Sequence, residues 1–190
     1  MIKRLSVTLS VLLALTFASS ASAAELEGVT FPEQITVNGK TLTLNGTALL
    51  KKFVFVKVYA GGFYLENPTK SGKEAIESEQ IKVFDIHYLT DKATAEKLKH
   101  GFKEEIINAN PEELVQKHKE QIDRFASWFD RDMKVGSTSK SVYIPGKGLT
   151  FYLNDVEKGT IADKEFARMY YRYTLGEKAN ETLREGYLGL

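Results

Sequence analysis

Three histidines, His87, His100 and His118, are the first residues in this chain that could ligate a metal. No two of them stand at i, i+4 spacing and no HExxH is present, whereas zinc sites draw their ligands from close pairs. With no cysteine at all, thiolate ligands, thiolate nucleophiles and disulfides are excluded. Serines fall in turns and at element ends, with no G-x-S-x-G to expose one as a nucleophile. Pro145-Gly146-Lys147-Gly148 holds glycines and a lysine but lacks phosphate-loop spacing, and reads as a turn between strands. Adjacent acids, Glu104-Glu105 and Glu112-Glu113, suit a solvated helix face and a helix start better than general acid–base work. No cofactor is expected from this set.

The remaining chemistry is aromatic. The chain holds 9 Tyr and 11 Phe against one Trp. Tyr59, Tyr64, Tyr88, Tyr152, Tyr170 and Tyr173 sit among apolar neighbours. A buried tyrosine needs a partner for its hydroxyl. Several converging on one side would suit a mostly apolar ligand with one polar end, although core packing alone accounts for such residues more often.

The elements that must position these residues follow a leader. Lys3 and Arg4, the apolar stretch Leu5 to Phe17 and the small-residue site Ala21-Ser22-Ala23 read as a cleavable signal peptide over residues 1–23. The apolar run is too short to span a bilayer. The expectation is an exported, periplasmic domain over residues 24–190, with no integral membrane segment once the leader is removed. The whole chain has 26 basic and 25 acidic residues, and losing Lys3 and Arg4 makes the net charge about −1. No basic excess is left to displace phosphate counterions, so nucleic acid is not an expected partner.

Gln34–Val37 and Thr41–Leu44 flank Asn38-Gly39 as a hairpin, with Asn45-Gly46 read as a second turn. Phe53–Leu65 reads as one long central strand, apolar on both faces, whose Gly61-Gly62 marks a bulge or a close approach. Gln80–Leu89 alternates, with Ile81, Val83, Asp85 and His87 on one face and Lys82, Phe84, Ile86 and Tyr88 on the other. A helix over about Asp91–Asn108 carries Ala95, Leu98, Phe102 and Ile106 on its inner stripe. Asn110, Pro111 and Glu113 mark the start of a second helix with the stripe Leu114, His118, Ile122, Phe125 and Phe129. Strands Ser139–Ile144 and Leu149–Asn154 follow. Asp163 caps a third helix ending at Gly176, with Phe166, Met169, Tyr170 and Tyr173 inward, and a short helix runs over about Asn180–Leu188. This order is that of an α+β domain, an antiparallel sheet with helices on one face.

Several segments resemble the chalcone isomerase-like family, particularly its bacterial exported members. They are Leu44-Asn45-Gly46 leading into Lys57-Val58-Tyr59-Ala60-Gly61-Gly62-Phe63-Tyr64-Leu65, then Tyr143 to Gly148, Leu153-Asn154, Gly159-Thr160-Ile161 and Glu165-Phe166-Ala167, with Leu175-Gly176 and Leu188-Gly189 closing. The resemblance implies an open-faced β-sandwich, a large antiparallel sheet under a layer of helices. It places a ligand cleft between Phe53–Leu65 and the helices Asp91–Asn108 and Asp163–Gly176.

Plant chalcone isomerases use a strand arginine, a strand threonine, and a helical tyrosine and asparagine. Those positions fall here on Leu50 or Lys51, Tyr59, Thr94 and Gly101, and no member of the set is retained. Ring closure would lose most of its electrostatic assistance, so the expectation is no chalcone isomerase activity and a non-catalytic protein. Members that bind fatty acids hold the carboxylate with an arginine and a tyrosine. Tyr59 matches the tyrosine, and Lys51 is the stand-in for the arginine. On an uninterrupted strand these two would lie roughly 26 Å apart at ~3.3 Å per residue, so the chain must bend, and Lys57, on the face of Tyr59, is a competing cation.

The expected ligand is therefore a fatty acid or similar amphipathic carboxylate. Its site residues are Tyr59, Lys51 or Lys57, and Thr94, with Phe102, Met169 and Tyr173 along the apolar part. Two alternatives stand beside it: an intramolecular lyase or isomerase acting on another substrate, and a structural protein with a protein partner.

Overall fold

Asn38 and Gly39 both take positive φ, 51° and 75°, the two-residue turn whose twist matches the strands it joins. It connects β3 (Gln34–Val37) to the 13-residue β4 (Lys40–Lys52), as the sequence indicates. The computed structural model describes residues 23–52 and 55–190. The leader expected over residues 1–23 thus lies outside the described residues except for Ala23, which opens β1 (Ala23–Leu26), paired with β2 (Val29–Pro32).

β4 and β5 (Val56–Leu65) form a long antiparallel ladder, continued by β6 (Lys82–Tyr88), β7 (Thr138–Ile144), β8 (Gly148–Leu153) and β9 (Val156–Ile161). The seven strands β3 to β9 lie in sequence order, an antiparallel meander. Two expectations are corrected here. Asn45-Gly46 is no turn: Leu44 pairs with Tyr64 and Gly46 with Phe63, so Asn45 is the extra residue of a bulge inside β4. The strand expected over Phe53–Leu65 begins only at Val56, because β4 runs on to Lys52 and the chain reverses before Val56, with Phe55 exposed in the turn. β9 follows a turn at Asn154-Asp155, both at positive φ, that carries no glycine to announce it.

The helices are α1 (Gly72–Glu77), α2 (Ala95–Ala109), α3 (Glu112–Lys117), α4 (Lys119–Ser127), α5 (Lys164–Leu175) and α6 (Glu181–Leu188). Asp163 and Asn180 cap α5 and α6, accepting from the amides of Phe166 and Leu183. Thr94, expected within a helix starting near Asp91, is instead the N-cap of α2, and its side chain accepts from the Lys97 amide. The second helix is divided. Asn110 does not cap α3; its buried amide donates to the carbonyls of Ile106 (2.8 Å) and Met169 (3.2 Å) and accepts from Arg172. At His118 the backbone leaves helical geometry between α3 and α4. The buried imidazole places Nε2 2.8 Å from Glu165, tying the break to the first turn of α5.

Helices pack on one face of the sheet, where Phe63 and Phe84 stack at 4.4 Å and Phe102 and Phe125 at 4.6 Å. The opposite face buries Leu42, Tyr64, Ile81, Val83 and Val142. No helix among the described residues is long and apolar enough to cross a membrane.

Candidate functional site

Gly61 and Gly62 sit in an unbroken ladder, so they mark close approach and no bulge. A Cβ on Gly61 would lie 2.2 Å from the Tyr187 hydroxyl, and one on Gly62 2.7 Å from the Phe31 ring. Each glycine thus admits an aromatic ring on its own face of β5. α6 reaches the sheet by the same means at Gly46 and Gly186, where added Cβ atoms would lie 2.2 Å from the Gly186 carbonyl and 2.5 Å from that of Thr47. Asn45, freed from the ladder by its bulge, donates to the Tyr187 carbonyl at 2.7 Å. These contacts bring Tyr187 from the end of the chain over the middle of β5.

Beneath the helices lies a cavity of about 650 Å³, walled by β4 to β8 on one side and by α2, α4, α5 and α6 on the other. This is within the usual range for small-molecule pockets. Five tyrosines line it: Tyr59, Tyr88, Tyr170, Tyr173 and Tyr187. Burial pushes the ionisation of Tyr59 well above its ordinary value, with smaller contributions from Tyr187, Tyr173 and Tyr88. Burial likewise raises Tyr170, Tyr173 and Tyr187, and lifts Tyr88 to about 12. All five are therefore neutral phenols near neutral pH, able to donate a hydrogen bond and poorly suited to take up a proton as anionic bases. Tyr170 donates to Ser141 at 2.9 Å, and the Tyr88 hydroxyl stands 3.5 Å from Ser139. Tyr187 Oη is buried without a hydrogen-bond partner.

Charge is confined to the mouth. Lys52, Lys92, Lys97, His100, Glu104 and Glu105 are lining residues, and all are exposed. Lys97 Nζ donates to the Lys92 carbonyl, and His100 faces Glu104 at 3.7 Å.

Of the residues singled out from sequence, Tyr59, Phe102 and Tyr173 line this cavity, as do Leu50 and Gly101. Lys51, Lys57, Thr94 and Met169 are not among its lining residues. The chain does bend: Leu50 pairs with Tyr59 and Lys51 with Lys57 across the hairpin. Val58 is left over between those two rungs, and this bulge overturns the expectation that Lys57 shares a face with Tyr59. Val56, Val58 and Tyr59 line the cavity while Lys57 pairs with Glu27 in the turn after β1. Thr94 is occupied as a cap, and Met169 is fully buried in the core beside the cavity. Tyr187 and the mouth lysines were missed; the only pointer to Tyr187 was the glycine pair whose partner lay in a distant helix. No group of three or more His, Cys, Asp or Glu capable of holding a metal occurs among the described residues.

A family model described as chalcone isomerase-like matches residues 23–189. Among solved structures, the fatty-acid binding protein AtFAP1 of Arabidopsis thaliana matches with a TM-score of 0.72 at 19% identity, over 88% of this chain and 96% of that one. The curled seven-stranded antiparallel sheet with helices is the fold shared with that protein. No curated protein matches by sequence.

Proposed function

This chain belongs to the chalcone isomerase-like family, and from that premise we propose that it is a periplasmic, non-catalytic protein that binds a fatty acid or similar amphipathic carboxylate. The observation that carries the reading is the cavity of about 650 Å³, apolar over most of its wall and furnished inside with neutral phenols. An aliphatic chain gains from leaving water for such walls by about 25 cal/mol per Å². The binding activity named for the structural relative supports the same ligand class. Non-catalysis is supported by the residues at the family's catalytic positions, Leu50 or Lys51, Tyr59, Thr94 and Gly101, none of which repeats the plant set. The leader-like first 23 residues support export.

Gly101 supplies the test. It lines the cavity from α2, and a Cβ there would meet nothing within 4 Å. Gly101→Leu therefore adds bulk to open space and replaces a poor helix former, worth up to about 1 kcal/mol in the helix. The variant is expected to keep or raise its melting temperature while losing at least tenfold in affinity for palmitic acid. Unchanged affinity would place the ligand elsewhere and defeat the proposal.

A further inference from the structure

The cavity is electrically divided, and this division says which way an acid would lie in it. Among its lining residues the cations Lys52, Lys92 and Lys97 all sit at the exposed mouth. The Lys52 and Lys92 side chains make no ion pair or hydrogen bond among the described residues. Asp91, next to Lys92 in the chain, accepts the Val135 amide, Asp132 accepts the Ala95 amide, and neither lines the cavity. Glu104 and Glu105 stand about two helical turns along α2 from Lys97, roughly 10–12 Å away at 1.5 Å per residue.

The buried part of the lining holds no cation. A carboxylate pushed inward would be desolvated without a counter-ion, a cost of several kcal/mol that phenols alone do not offset. Yet the interior is not purely apolar. Tyr59 and Tyr187 both line it, and the Tyr187 Oη is buried with no partner at full hydrogen-bond geometry, the Tyr59 hydroxyl being its polar neighbour. A buried donor left unpaired costs about 1–3 kcal/mol, which an oxygen acceptor on the ligand would recover.

We propose that the ligand of this cavity lies head-out. Its carboxylate meets Lys52, Lys92 and Lys97 at the mouth, and a second, uncharged oxygen farther along the chain accepts from Tyr187 and Tyr59. The preferred class is then an oxygenated long-chain acid, a hydroxy or keto acid, over the plain fatty acid. This rests on the proposed function, and refines it.

The test compares palmitic acid, ω-hydroxypalmitic acid and methyl palmitate on the full chain and two variants. Lys92→Glu/Lys97→Glu alters only exposed positions and leaves the core intact. It is expected to weaken both acids at least tenfold and to leave methyl palmitate unchanged. Tyr187→Phe is expected to erase a fivefold to tenfold preference for the hydroxy acid, the equivalent of about one hydrogen bond, without weakening palmitic acid. Acid binding indifferent to the lysine reversals and lost in Tyr59→Phe would establish the opposite, head-in orientation and overturn this inference while the proposed function stands. So would the absence of any preference for the hydroxy acid in the wild-type protein. A wild-type protein that binds none of the three probes would overturn the proposed function and this inference with it.

Discussion

Tyr64 and Tyr187 are alike in side chain and in burial, and each has a hydroxyl without a hydrogen-bond partner. Only Tyr187 opens on the cavity; Tyr64 lies in the apolar cluster on the far face of the sheet. Removing the unpaired Tyr64 hydroxyl should relieve a desolvation cost, so Tyr64→Phe is expected to stabilise by about 1 kcal/mol. In a domain of this size that raises the melting temperature by about 2–4 °C, and a lower one in a thermal melt would show that the hydroxyl is paired. Lys82 supplies a pH signature. Its side chain is buried, donates to the Ile76 carbonyl at 2.8 Å and lies over the Tyr171 ring. Burial lowers its ionisation from 10.5 to about 8, against a smaller upward pull from Glu79. Between those values the unfolded chain binds more protons than the folded one, so its contribution to stability is lost as pH falls toward 8 and restored as pH rises to 10.5. The urea midpoint of wild type should therefore gain on that of Lys82→Met between pH 7 and pH 9.5; a constant gap would mean that Lys82 titrates normally. At this scale the sequence was legible where a residue carries its own signal. Tyr59 could be placed on a cavity wall, but Tyr187 could not, since its position depends on the missing Cβ of Gly61, far away in the chain.

Helices and strands are set on one another by backbone as much as by side chain. At Gly46 an added Cβ would strike backbone atoms of α6, at 2.2 Å and 2.8 Å, and nothing there can rotate away. At Gly61 the obstacles are the ends of two side chains, Tyr187 at 2.2 Å and Ile86 at 2.6 Å. Gly61→Ala is expected to cost about 1–3 kcal/mol, and the cost should shrink in a Tyr187→Phe background. Gly46→Ala should cost more and be indifferent to that background. A double-mutant cycle by denaturant unfolding reads the coupling; equal costs for Gly61→Ala in both backgrounds would refute the contact. Caps and turns with local chemistry, Asn38-Gly39 and Asp163, were legible because the residue that ends the element also satisfies it. Asn110 looked like a cap of the same kind and was claimed instead by α2, α5 and Arg172. The bulges at Asn45 and Val58 were illegible for a related reason: an extra residue in one strand is defined only by its partner's register. The Val58 bulge had the largest consequence, since it turned Lys57 away from Tyr59.

In the whole molecule, strands in sequence order with two helical insertions make an architecture that periodicity and turn chemistry suffice to order. The cavity is a different kind of quantity. Its volume comes from how far α2, α5 and α6 stand off the sheet, which depends on contacts such as Gly46 against Gly186 and Phe102 against Phe125. Aromatic richness pointed to a ligand pocket or a core, and under the helices the fold sets a packed aromatic core beside an open cavity. The most direct measurement is native mass spectrometry of the protein expressed from its full sequence. The expected spectrum shows one adduct per chain with the mass of a long-chain acid, removable by organic extraction, restored by added palmitic acid and absent in Gly101→Leu. A bare mass before and after addition of palmitic acid, from protein that melts cooperatively, would contradict the account.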